Sequence, residues 1–370
     1  MKNCLLLLVI VLLASCSKPF APVQFVADDN FPENLSDWNV LLLDGDTLRP
    51  NQGVVAYDLN MQLFTDHAHK FRTVWMPAGM PANYQPENEF DFPVGTIISK
   101  TFYYPKNSNG QLLQTDDYTL DFNQQGLNLD SVHLIETRLL VHQQNGWVAL
   151  PYVWNKQQNS AILEWAGDAQ SLSLIDEQGQ SQDFAYIIPD ANQCAGCHAP
   201  NHTSKAIKPI GLKARHINKP YAFLGGQANQ LQHWQGIGYL QGLPQNPPKN
   251  ASFNDANASI DDLARSYLDI NCGHCHNAQG AADTSGLWLT RSETDMRRLG
   301  LCKPPVAAGN GAGNGRYSID PGQGDLSIIH IRMSSLDPGA MMPELGRSTV
   351  HQQGASLIKQ WINNMPGDCQ

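Results

Sequence analysis

Short runs of β-branched and aromatic residues, broken by Pro, Gly, Asn and Asp, occupy the chain from 31 to 188. The runs at 54–57, 71–75, 96–104, 132–142 and 147–154 have the length and composition of strands. Ile135-Glu136-Thr137-Arg138-Leu139 alternates apolar and polar residues, as a half-buried strand does. Asn145-Gly146, between two such runs, signals a hairpin. The pattern predicts an antiparallel sandwich. It holds no nucleophile elbow, phosphate loop or His-Glu-x-x-His. Asp66-His67-Ala68-His69 reads as a polar turn beside a strand.

The period changes towards the C-terminus. Leu263, Tyr267 and Ile270 share a helical face that runs directly into Cys272, with Ser259 as N-cap and Asp262 in the first turn. Leu357, Ile358, Trp361, Ile362 and Met365 form a second apolar stripe. A helix entering a cysteine motif, a long loop and a closing helix predict a mostly α-helical unit over 256–370. Between them, 189–250 ends in Leu243-Pro244-Gln245-Asn246-Pro247-Pro248, which reads as a linker. The predicted fold class is α+β and multidomain: a β-rich, sandwich-like domain at 31–188, the 189–250 segment, and the helical domain.

At the N-terminus Lys2 precedes an apolar run, Leu5 to Leu13, too short for a bilayer span and right for a signal-peptide core. Leu13-Ala14-Ser15-Cys16 resembles the lipobox of bacterial lipoproteins. That resemblance implies a signal peptide over 1–15, lipid on Cys16 and a tether over 16–30. Ser17 then points to the outer membrane, so that the protein faces the periplasm and meets the membrane only through its anchor. An ordinary secretion leader is the alternative. Acidic residues outnumber basic ones by 34 to 24, a net charge of −10, with no basic tail or stripe. Non-specific nucleic-acid binding, which needs phosphate neutralisation, is therefore not expected.

Eight cysteines carry the chemistry. Cys194-Ala195-Gly196-Cys197-His198 and Cys272-Gly273-His274-Cys275-His276 both read C-x-x-C-H, the attachment signature of c-type haem. Paired thiols add to the vinyl groups on one porphyrin edge, and the following imidazole is directed at the iron. The sequence thus predicts two covalent haems on Cys194, Cys197, Cys272 and Cys275, with His198 and His276 as proximal ligands. A four-cysteine zinc site, a redox dithiol and disulfides are the competing readings. Cys302 and Cys369 remain as a disulfide candidate in an oxidising compartment.

A haem iron takes a second protein ligand for electron transfer or stays open for substrate chemistry. Met342, directly before Pro343 in a Gly-containing loop, is the candidate for the second haem, with Met341 as runner-up. No methionine lies between Met80 and Met296. For the first haem His216 ranks ahead of His202 and His233; His69, Met61, Met76 and Met80 in the β-rich part are further options, as is an open iron. Each proximal histidine should give its other ring nitrogen to a backbone carbonyl, and the Pro209 loop is the expected partner of His198.

These segments also carry a family likeness. Val55-Ala56-Tyr57-Asp58-Leu59-Asn60, Phe92-Pro93-Val94-Gly95-Thr96, Glu136-Thr137-Arg138-Leu139-Leu140, Pro209-Ile210-Gly211-Leu212-Lys213-Ala214-Arg215, Cys302-Lys303-Pro304-Pro305 and Met341-Met342-Pro343-Glu344-Leu345-Gly346, with both haem motifs, resemble an uncharacterised family of secreted bacterial dihaem c-type cytochromes. The C-terminal unit resembles the wider cytochrome c superfamily. The resemblance implies two covalent haems in a periplasm-facing protein, often encoded beside a parallel β-helix protein, and names no substrate. The leading expectation is a lipid-anchored electron carrier between a periplasmic oxidoreductase and the respiratory chain. A dihaem peroxidase-like enzyme with an open first haem, and a binding module built on the β-rich part, are the alternatives.

Overall fold

The computed structural model describes residues 20–369 apart from 28 and 124. The leader over 1–15, Cys16 and Ser17 lie outside the described residues. The centre is a six-stranded sheet in the order Ala161–Leu163, Gly146–Trp154, Val132–Gln143, Ile97–Pro105, His69–Trp75, Val55–Tyr57, every neighbour antiparallel. The hairpin turns at Gln144-Asn145, one residue earlier than Asn145-Gly146, and Gly146 at φ 118° opens the return strand.

Side chains alternate across a strand, so the sheet presents two different faces. On one, Phe71, Ile97, Tyr103, Leu139, Val141 and Leu150 pack with Leu41, Leu48 and Leu127. Those come from a small sheet of Leu41–Asp44, Thr47–Pro50 and Leu127–Asn128. On the other, Phe102 and Tyr104 pack with Leu174, Tyr186 and Ile188 of the sheet containing Asp168–Ile175 and Ser181–Ile188. Beside them Val74, Ile98, Leu140 and Ala149 meet Cys194, Leu212 and Trp234. This second face carries the site.

Among the described residues strand takes 26% and helix 18%, the helix being six α-helices and short 3-10 turns. The α-helices are α1 (Ala191–His198), α2 (Ala214–Ile217), α3 (Gln230–Gly236), α4 (Ile260–Asn271), α5 (Ile328–Ser334) and α6 (Gln352–Asn363). The expectation of a mostly α-helical cytochrome c domain at 256–370 is therefore overturned. Only α4, α5, α6 and short 3-10 turns are helical there among the described residues. The intervening chain has no sustained helical period: Pro304-Pro305 and left-handed Gly286, Gly309, Gly313 and Gly322 keep it in loops.

Nor do the segments keep separate cores. One apolar cluster runs through Tyr57 and Phe90, Leu212 and Trp234, and Tyr267, Leu268 and Trp361. Tyr57 meets Trp234 edge-on at 5.8 Å between ring centroids. The α4 face named above is present, and the Ser259 hydroxyl accepts the Asp262 N–H at 3.0 Å. The α6 stripe packs against α4 at Gly354, where a Cβ would stand 2.6 Å from Cε2 of Tyr267.

Candidate functional site

Helix α1 is set by a capping box: the Asp190 carboxylate accepts the Gln193 N–H at 2.7 Å, and Gln193 Oε1 accepts the Asp190 N–H at 3.1 Å. Residues three and four apart share a helix face, so Cys194, Cys197 and His198 project together. His198 Nδ1 lies 2.8 Å from the carbonyl oxygen of Lys208, in the loop that leads into Pro209. Donation from Nδ1 fixes the ring and leaves Nε2 as the free donor atom for a metal. Burial, and next the Lys100 ammonium, push the His198 imidazole down to about 4, so it is neutral at pH 7.

Cys194 and His198 line a cavity of about 810 Å³, open solvent included, between α1, the Pro209 loop and the second face of the central sheet. Its apolar wall includes Ile98, Leu140, Ala149 and Ile270. Lys70, Arg72, Lys100 and Arg138 also line it. Arg72 pairs with Asp58 at 3.1 Å and Arg138 with Glu136 at 2.5 Å. Burial, followed by Arg138 and Arg72, pushes the Lys100 ammonium down to about 7, and burial with Arg72 holds Lys70 well below the usual ammonium range.

The second motif begins where α4 ends. The Cys272 and His276 N–H groups return to Leu268 and Cys272 carbonyls, both at 2.9 Å. His276 Nδ1 stands 3.3 Å from the Ser285 hydroxyl, and burial pushes this imidazole down to about 4. The two motifs abut: the Cys275 thiol donates to the Gly196 carbonyl at 3.6 Å. Cys275 also neighbours Cys197, and their interaction holds the Cys197 thiol well below its usual range, against the effect of burial. The following loops are joined as well, with the His202 N–H on the Gln279 carbonyl at 2.8 Å.

The loop at 341–346 comes to the same place. A Cβ on Gly196 would stand 3.2 Å from Cδ1 of Leu345, and the Met342 N–H bonds the Arg332 carbonyl at 3.0 Å. Arg347 bonds the Met342 carbonyl at 3.0 Å, and the Asp66 carboxylate receives the Ser348 and Thr349 N–H groups, each at 2.7 Å. The Asp66-His67 turn therefore docks this loop. Met341 and Met342 are both half-buried.

His216 does not line the His198 cavity; its Nε2 is bonded to Asp269 at 2.9 Å, and both side chains are buried. His69 has both ring nitrogens engaged, by Asp121 at 2.6 Å and the Thr115 carbonyl at 2.7 Å. His202 bonds the Gln279 carbonyl and His233 stacks on Phe223. Met61 and Met76 are core residues and Met80 is exposed; none of the three lines the cavity. Cys302 and Cys369 are joined in a disulfide, with Cα atoms 5.2 Å apart, tying the 303–305 loop to the C-terminus.

The four motif cysteines are free thiols. Among the described residues no group of three or more His, Cys, Asp or Glu is placed to hold a metal ion. A c-type haem asks less of the chain: two thiols, one imidazole with its far nitrogen anchored, and room beside it. The first motif supplies the two thiols and the anchored imidazole, with Cys194 and His198 on the cavity wall. Among the described residues no helix is long and apolar enough to cross a membrane. Comparison with family models, with curated proteins and with solved structures finds no match, and the chemistry of the site rests on its own residues.

Proposed function

We propose that the protein is a dihaem c-type cytochrome that transfers electrons, with haem bound covalently at Cys194 and Cys197 and at Cys272 and Cys275. His198 and His276 are the proximal ligands, and Met342 is the distal ligand of the second haem, Met341 being the runner-up. The haem supplies one-electron chemistry; the chain supplies attachment, a neutral imidazole of fixed orientation and an environment that sets the potential. The observation that carries this reading is the contact between Cys275 and Gly196, which brings the two attachment segments together. Electron exchange between groups on the two motifs needs that proximity.

The setting is the periplasmic face of the outer membrane, with lipid on Cys16 as anchor. The partner is a periplasmic redox protein, for which a neighbouring parallel β-helix protein is one option. A net charge of −10 steers a basic partner at a salt-dependent rate. The test is the intact mass of protein matured in a host competent for haem attachment. Wild type carries the mass of two haems and Cys272→Ala that of one. A wild-type mass without porphyrin ends the reading.

A second reading, a haem-dependent oxidoreductase with an open first iron, draws on one observation. Among the described residues, the side chains lining the cavity contain no methionine and no histidine besides His198. Exogenous ligands would then bind the first haem of the resting protein.

A further inference from the structure

Strand register places three cations side by side inside the cavity. Arg72 is directly opposite Lys100, and Lys100 directly opposite Arg138, on three adjacent antiparallel strands. Like charges so placed repel. Lys70, two residues from Arg72, lies on the same face and is directly opposite Phe102. The cations converge on that ring: Arg138 Cζ lies 4.3 Å from its centroid, Lys100 Nζ 5.1 Å and Lys70 Nζ 5.9 Å.

The two arginines have carboxylate partners and, among the described residues, the two lysines do not. The Arg138 guanidinium is forked on Glu136, at 2.8 and 2.5 Å, and Arg72 is held by Asp58 and Gln62. Lys70 gives one hydrogen bond, to the Leu63 carbonyl at 2.9 Å. Among the described residues, neither Lys70 nor Lys100 has a carboxylate within 4.0 Å, although an ammonium offers three donors. Removing such charges from water is costly unless an anion meets them.

We propose that this row seats the two carboxylates of the tetrapyrrole held at Cys194, Cys197 and His198, with Lys100 as its central contact. The inference rests on the reading of the first motif as a haem site. Two lysines without a carboxylate partner stand in the cavity, and a haem would bring two carboxylates to it. Arg72 and Arg138 flank Lys100, each fixed in position by its own carboxylate. A soluble anion, such as a small carboxylate or phosphate, has the same chemistry and is the competing source.

The test uses matured holoprotein of wild type, Lys100→Met and the charge-retaining Lys100→Arg. Intact mass reports haem count, spectroelectrochemistry the two potentials, and redox-difference infrared spectroscopy the bands of isotope-labelled porphyrin carboxylates. Lys100→Met is expected to keep both haems, to shift the carboxylate bands and to lower the first potential while the second stays. Losing a nearby positive charge favours the ferric state. Lys100→Arg restores both readouts. If Lys100→Met does not fold, Lys70→Met is expected to give the same shifts.

Unchanged carboxylate bands with both haems in place overturn the proposal and leave the haem reading standing. So does a first-haem spectrum that responds to added formate or phosphate in wild type but not in Lys100→Met, with no difference between them in anion-free buffer. A wild-type mass without porphyrin removes the haem reading itself, and this inference with it.

Discussion

His216 Nε2 and Asp269 Oδ2 meet 2.9 Å apart, and both side chains are almost fully buried. Asp269 lies one turn before the second cysteine motif. Its carboxylate also accepts from Asn250 Nδ2 at 2.9 Å and from the Arg291 N–H at 3.0 Å. One side chain thus ties α2, the 250 loop and the 291 loop to α4. The His216 ring is a structural partner of α4 rather than part of the cavity wall.

Burial alone would raise the Asp269 carboxyl, but the hydrogen bond and charge of His216, with Lys213 and Asn250, hold it below the usual carboxylate range. A depressed folded value stabilises the protein fully above the unfolded value, about 3.9. That contribution is lost as pH falls through the folded value. Asp269→Asn is expected to cost about 3–5 kcal/mol at pH 7, since it leaves a buried partner unmatched. The acid limb of its stability profile below about pH 4 should be shallower than that of wild type. Urea unfolding across pH measures both; equal stability at neutral pH would show that the pair does not hold α4.

Gly354 makes a sharper test of the α4–α6 contact. A side chain there meets the rigid phenol ring of Tyr267, which cannot swing aside without breaking its 3.0 Å contact with His351 Nδ1. Gly354→Ala normally favours a helix by up to about 1 kcal/mol. Here overpacking is expected to reverse the sign, with a net loss of about 1–3 kcal/mol. A thermal melt with a raised midpoint would mean that the helices are further apart than described.

Met342→Ala probes the proposed distal ligand. A thioether ligand raises the potential of a haem iron. Its removal is expected to lower the potential of the second haem and to admit exogenous ligands there, with the first haem unaffected. Spectroelectrochemistry with cyanide titration reads both. An unchanged second potential would shift the assignment to Met341.

The sequence carried the local features well and the long-range ones poorly. The Ser259 cap and the apolar faces of α4 and α6 follow from helical spacing, and the strands at 71–75 and 147–154 follow from composition. The Lys208 carbonyl beside His198 lies in the expected loop. What failed was the inference from two helices to a mostly helical domain, because the chain between them is governed by glycines, prolines and docking onto neighbouring segments. The cation row was equally out of reach. Arg72, Lys100 and Arg138 are far apart in sequence, and only strand register brings them into line. Nothing in one strand alone says which residues lie opposite it.

The contact between Cys275 and Gly196 gives the account its central claim, that two haems sit on abutting attachment segments and exchange electrons. Low-temperature EPR of oxidised, fully matured protein, with signals quantified against protein, tests it most directly. Two low-spin ferric centres per chain, their signals perturbed by mutual magnetic coupling, are the predicted result. One low-spin and one high-spin centre would contradict electron transfer as the sole role and favour an open first iron. No ferric haem signal at all would contradict the account.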